Sequence, residues 1–288
     1  MPTLDLLEPL AHPFVVRALA AAVLTGIVCA VVGSFVVLRG LAFLGDAISH
    51  AAFPGVVVAY LLKGPLFVGA AIAAVATALA IGEVGRRGRL RADTAVGVVF
   101  AGTFALGVFL FSTISGYVGD LFGFLFGSLL AIGPEDLLGL AGLSALVLAL
   151  VAAFWKELLY ATFDPLGAAA SGLPVAALDR LLLVLVALTI VVSIQAVGII
   201  LVVAMLVTPA ATAQLVTLRV GRLILIAAAI GVATAVIGLF ASYWLNVASG
   251  ATIVLVQTAL FLAVVAVGPW LAGRPRSAGV DGEAVARP

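Results

Sequence analysis

Charge is scarce in this sequence: only 9% of its 288 residues are charged, 14 Lys and Arg against 13 Asp and Glu. Soluble domains carry roughly 25%, and a water-facing surface of ordinary size could not be covered by so few. A soluble globular fold is therefore excluded. The net charge of +1 argues against a nucleic-acid binder. Cys29 is the single cysteine and lies in an apolar run, so no intramolecular disulfide and no cysteine metal cluster can form. Lys63 and Lys156 are the only lysines, and neither sits in a G-x-x-x-x-G-K-[ST] loop. The chain cannot be its own P-loop ATPase. A G-x-S-x-G elbow is also missing, and His12 and His50 are the only histidines, which makes a serine hydrolase a poor fit.

Apolar sequence is abundant: 65% of residues are hydrophobic. A hydrocarbon layer about 30 Å thick needs roughly 20 apolar residues per helix. Runs of that kind lie near 14–38, 41–62, 65–83, 94–113, 137–155, 181–217, 223–245 and 251–272. Sustained alternation is absent, so a β-barrel is excluded. The stretch from Leu181 to Leu218 is 38 residues without a charge. It is too long for one span and sufficient for two that turn near Gly198. The expected fold is an all-α polytopic membrane protein with eight to nine spans, nine being preferred. A single membrane-spanning domain is expected over 1–272, and a disordered tail over 273–288.

The positive-inside rule orients these spans. With the N-terminus outside, the cytoplasmic set is Arg39, Arg86, Arg87, Arg89, Arg91, Lys156, Arg180, Arg219, Arg222, Arg274, Arg276 and Arg287, against only Arg17 and Lys63 outside. Twelve against two supports splitting the long run, because a single span would place Arg180 opposite Arg219. The segment 114–134 is glycine-rich with a short apolar part, and is expected as a re-entrant or surface helix on the outer face. Asp5, Glu8, Asp120, Glu135 and Asp136 make that face mildly acidic, and His12 is expected at the membrane boundary.

One acidic residue stands well inside an apolar run. Asp46 in Gly45-Asp46-Ala47-Ile48-Ser49-His50-Ala51 would cost roughly 2.5–3.5 kcal/mol at mid-span. Four residues on, His50 projects from the same helix face, with Ser49 beside it. A carboxylate and an imidazole suit Zn²⁺, Mn²⁺ or Fe²⁺. Two ligands are too few for a stable site, but a homodimer with this span at its axis would supply four. Two other readings stay open: Asp46 as a helix N-cap with His50 hydrogen-bonded in the first turns, and the pair as a proton relay. Pro54 would kink the helix and free a carbonyl, which is consistent with a pathway without being evidence of one.

The stretch Val37-Leu38-Arg39-Gly40-Leu41-Ala42-Phe43-Leu44-Gly45-Asp46-Ala47-Ile48-Ser49-His50-Ala51, followed by Pro54-Gly55-Val56, resembles the signature of the zinc/manganese/iron ABC permeases. Further likeness is carried by Asp93 to Gly97, Asp120-Leu121 with Leu125 to Ser128, Phe163-Asp164-Pro165, Gly172-Leu173-Pro174, Val202 to Ala213 and Ser249 to Val254. Coverage runs from about 14 to 270. Relatives often carry an acidic residue after the Asp-Pro pair, where this chain has Leu166.

The resemblance implies a type II ABC importer permease in a bacterial plasma membrane. It further implies a second permease copy, two separate ATPase subunits on the cytoplasmic face, and an extracytoplasmic metal-binding protein as donor. Asp46 and His50 would then line the translocation path, with support from Ser49 and Pro54. No permanently bound cofactor is implied, only a transported Zn, Mn or Fe ion. Asp164, Pro165, Gly172, Leu173 and Pro174 resemble the segment that couples to the ATPase. Physically, Asp164 can cap a short helix, Pro165 suits its first position, and Gly172 with Pro174 can end it. The competing readings are a proton-coupled secondary metal transporter and an ABC permease for a metal chelate.

Overall fold

The computed structural model describes residues 8–88, 91–114 and 129–271. Among the described residues the regular structure is helical throughout: α1 Pro13–Leu38, α2 Ala42–Leu61, α3 Leu66–Gly88, α4 Ala92–Phe111, α5 Pro134–Ala153, α6 Trp155–Phe163, α7 Pro165–Ala170, α8 Val175–Val216, α9 Val220–Leu245 and α10 Ser249–Leu271. Helices are the expected solution, because each satisfies its own backbone polar groups where no water is present. Nine segments among the described residues are long and apolar enough to cross a membrane, α8 contributing two, Val175–Ile194 and Val197–Val216.

Helix α8 breaks where the sequence places the turn. As one straight helix its 42 residues would measure about 63 Å, twice the hydrocarbon thickness. Gly198 has φ 79° and ψ 167°, a conformation that glycine adopts readily. Packing confirms the sharp turn. Ser193 Oγ lies 3.6 Å from Cys29 Sγ, while the Leu206 backbone lies against Gly33, one turn further along α1. In a straight helix Ser193 and Leu206 would be about 20 Å apart.

Helix α1 and the two arms of α8 form the centre, with Phe35, Ile190, Ile194, Leu201 and Met205 essentially inaccessible. Close helix approach rests on small residues. Gly26 meets Gly231 of α9, and Gly55 of α2 meets Gly69 of α3 so closely that a Cβ on either would overlap the other's carbonyl.

The two ends of α1 mark the two ends of the bundle. Near its start, Arg17 Nε donates to the Ile132 carbonyl at 3.1 Å, just before α5. At its finish, Arg39 Nη1 donates to Asp179 Oδ1 at 2.6 Å at the start of α8. Ring contacts of α2 with α4, His50 with Phe100 and Phe53 with Phe111, show that these two helices run in the same direction. Ile114 and Leu129 therefore both lie toward the Arg17 end. Residues 115–128 lie outside the described residues, and with them the expectation of a re-entrant or surface helix. The tail 273–288 also lies outside them.

Two local expectations are corrected. Helix α2 begins at Ala42, with Leu41 in the N-cap position. Asp46 is its fifth residue and caps nothing. The third helix outlasts the apolar run 65–83, because α3 continues past Glu83 to Gly88. Glu83 pairs with Arg86 and Arg87 at the (i, i+3) and (i, i+4) positions, so its charge is compensated along the same helix.

Candidate metal path and coupling segment

The three residues Arg39 to Leu41 turn the chain from α1 into α2, with Gly40 at φ 68°. Four residues into α2, Asp46 and His50 stand one helical turn apart. His50 Nε2 lies 3.5 Å from Asp46 Oδ1, an ion-pair separation rather than a tight hydrogen bond. The side chains are 37% and 50% exposed for His50 and Asp46 respectively. Both donor sets therefore open outward from a helix that is otherwise largely buried. Ser49 is fully buried and its hydroxyl donates to the Asp46 carbonyl at 2.8 Å. It steadies the turn between the two donors and does not join them.

Pro54 lies inside α2. Without an N–H it leaves the carbonyl of His50, four residues earlier, without its usual helical donor. Gly107 of α4 makes room for the proline ring: a Cβ there would press on Phe53 and Pro54. Helix α4 also supplies a wall to the site. The His50 ring lies 5.9 Å from that of Phe100 and 5.8 Å from that of Phe104, the latter edge-on. These phenylalanines were not among the sequence candidates. Their signal was present as Phe100, Phe104, Gly107 and Phe111, a stripe at helical spacing.

Among the described residues no group of three or more His, Cys, Asp or Glu side chains gathers within one chain. Asp46 and His50 therefore offer at most two metal-ligating side chains from one chain. Tetrahedral coordination of a transition metal takes four donors.

At the opposite end of the turn, Arg39 organises the second candidate region. Its Nη1 bonds Asp179, and its Nε donates to Thr162 Oγ1 at 3.0 Å. Thr162 precedes α7 and Asp179 follows it, so one guanidinium ties both flanks of that short helix to the residue that leads into α2. Asp164 Oδ1 accepts from the Gly167 N–H at 2.8 Å and caps α7. Pro165 is its first residue, and Gly172 at φ 84° turns the chain after it. Leu173 and Pro174 then lead into α8. Sequence reasoning placed these five residues together but did not find Arg39 as their link. The surface here is apolar and open, with Phe163 59% and Leu166 83% exposed.

The family model for the ABC 3 transport family matches residues 11–268. A manganese transport system membrane protein, MntC of Halalkalibacterium halodurans, is 46% identical over 252 residues, covering 88% of this chain and 86% of that protein. The chelated iron transport system membrane protein YfeD of Yersinia pestis is 41% identical over 258 residues, covering 88% of this chain and 86% of that one. Among solved structures, PsaBC from Streptococcus pneumoniae in complex with Fab superposes with a TM-score of 0.79 at 39% identity, over 90% of this chain and 94% of that one. The all-α polytopic permease fold read from the sequence is borne out by these matches. The chain belongs to the ABC 3 transport family, and so is a metal-ion ABC transporter permease as its motifs suggested.

Proposed function

We infer that this chain is the membrane-spanning subunit of an ATP-driven importer of divalent transition metal ions. The observation that carries the reading is the Asp46 and His50 pair, half-exposed and one turn apart on a buried span. An ionisable pair in the first half of a spanning helix has a cost, and such residues face a water-filled path or a partner. A second copy of the chain, related by a two-fold axis near α2, would complete a set of two carboxylates and two imidazoles. That set suits Mn²⁺, Fe²⁺ or Zn²⁺. Manganese and iron are named for its relatives.

The Arg39 end of the bundle is the cytoplasmic one in this reading, by the excess of Lys and Arg there. The N-terminus is then outside and the C-terminus inside a bacterial plasma membrane. Metal arrives from an extracytoplasmic binding protein, enters between the two copies, and pauses at the Asp46 and His50 sets with Phe100 and Phe104 beside the imidazole. Ser49 and Pro54 shape the helix that presents the donors. No permanent cofactor takes part.

ATP hydrolysis belongs to separate ATPase subunits that dock at Asp164, Pro165, Gly172, Leu173 and Pro174. The exposed Phe163 and Leu166 give that surface apolar contacts. Arg39 carries a displacement of α7 to the start of α2, because its two hydrogen bonds hold both flanks of α7. Alternating access follows when the ATPases change their spacing.

The test is reconstitution of the chain in vesicles with and without an ATPase and a binding protein. Metal uptake that requires ATP inside and both partners supports the reading. Uptake by the chain alone, driven by a pH gradient, would replace it with a proton-coupled carrier.

A further inference from the structure

A cleft of about 300 Å³ opens at the Arg39 end, bounded by the ends of α1, α2, α3 and α8. It is separate from the face that carries Asp46 and His50, neither of which lines it. Its inner walls are apolar, formed by side chains such as Leu41, Leu44, Leu79 and Leu183. Among the described residues its charged lining consists of three guanidinium groups, Arg39, Arg86 and Arg180, and two carboxylates, Glu83 and Asp179. Three positive against two negative leaves one positive charge without a counter-ion in the described lining.

The hydrogen bonds show where that surplus lies. Arg86 is taken up by Glu83 and Arg39 Nη1 by Asp179. Arg180 reaches Glu83 only at 3.9 Å, beyond hydrogen-bond range. Arg39 Nη2 is buried and has no hydrogen-bond partner among the described residues. A buried cationic donor of this kind calls for an acceptor. The unmet requirement is therefore one negative charge, with acceptor oxygens, on a molecule whose remainder is apolar.

We propose that this cleft binds an acidic phospholipid of the cytoplasmic leaflet, its singly charged phosphodiester meeting Arg39 and Arg180 and its acyl part lying against the leucine walls. The leaflet assignment rests on the orientation proposed above. Basic pockets between spans at the cytoplasmic side are suited to such head groups. A small inorganic anion would satisfy the charge but leave the apolar walls uncovered. A bound lipid would brace the start of α2 through Arg39, the same residue that holds the flanks of α7.

The test uses the full chain in nanodiscs of defined composition, and needs no transport assay. Phosphatidylglycerol and phosphatidylcholine of matched acyl chains are mixed, and the lipid retained after extraction is measured by native mass spectrometry. The wild type should retain phosphatidylglycerol in preference by on the order of tenfold. The double variant Arg86→Gln with Arg180→Gln, which keeps the Arg39 to Asp179 bond, should lose that preference. Arg87→Gln is the control, because Arg87 pairs with Glu83 but does not line the cleft, and it should behave as wild type. Glycerol phosphate and inorganic phosphate should displace the lipid poorly. Equal retention of both lipids by the wild type, an unchanged preference in the double variant, or ready displacement by free phosphate would each overturn the proposal. ATP-dependent metal uptake by the wild-type chain, reconstituted in sealed vesicles with an ATPase and a binding protein, shows separately whether the transport reading holds.

Discussion

Arg39 and Asp179 are joined at 2.6 Å across 140 positions of sequence, the arginine side chain 14% exposed and the aspartate 45%. The asymmetry in burial decides which half of the pair is the more costly to remove. Asp179→Ala strands a largely buried guanidinium, whereas Arg39→Met leaves a carboxylate that water can reach. The expected losses are about 2–3 kcal/mol for Asp179→Ala and about 1 kcal/mol for Arg39→Met. Thermal unfolding of the detergent-solubilised chain measures both. The reverse order would contradict the burial argument.

The contact between Gly55 and Gly69 sets the spacing of α2 and α3. Gly55→Ala places a methyl group where the Gly69 backbone now lies, and neither helix can yield without moving the Asp46 face. A loss of about 1–3 kcal/mol is expected. Gly97→Ala is the comparison, since a Cβ at Gly97 meets nothing within 4 Å. It should be neutral or slightly stabilising. Both variants are read in the same unfolding assay.

Phe104 meets the His50 ring edge-on. Phe104→Ala should leave the chain folded and the complex assembled, while the imidazole loses one of its two aromatic neighbours and a preferred orientation. Half-saturation for metal uptake should rise by roughly tenfold, with the maximal rate less affected. Initial-rate uptake across metal concentrations separates the two parameters. An unchanged half-saturation would remove the positioning role from this ring.

Leu166 is 83% exposed at the start of α7, so Leu166→Glu should change stability by less than about 0.5 kcal/mol. Placed against an ATPase groove, the new carboxylate should weaken docking and lower substrate-stimulated ATP hydrolysis severalfold. Co-purification of the ATPase with the variant, together with its hydrolysis rate, checks this. Full stimulation would put the docking surface elsewhere.

Much of this architecture is legible in the sequence because charge is so rare in it. The break at Gly198 follows from the length of the Leu181 to Leu218 run and from a glycine near its middle. The cap of α7 follows from the order Asp164, Pro165, Gly172. The spacing of Asp46 and His50 places them on one face whatever surrounds them. Other features depend on packing that the sequence does not encode locally. Phe100 and Phe104 form a stripe, but in a helix that is apolar on every side a stripe does not say which face meets a neighbour. The partners of Arg39 lie 123 and 140 positions away, beyond any local pattern. Glu83 ended an apolar run by its charge, although the arginines one turn on allow the helix to continue.

The central claim is that Asp46 and His50 bind the metal that crosses the membrane. Its most direct test is ATP-dependent manganese uptake by the reconstituted complex carrying Asp46→Ala or His50→Ala, with the amount of assembled complex measured in the same vesicles. The account predicts normal assembly and uptake reduced to background in both variants. Uptake at the wild-type rate in either variant would contradict it.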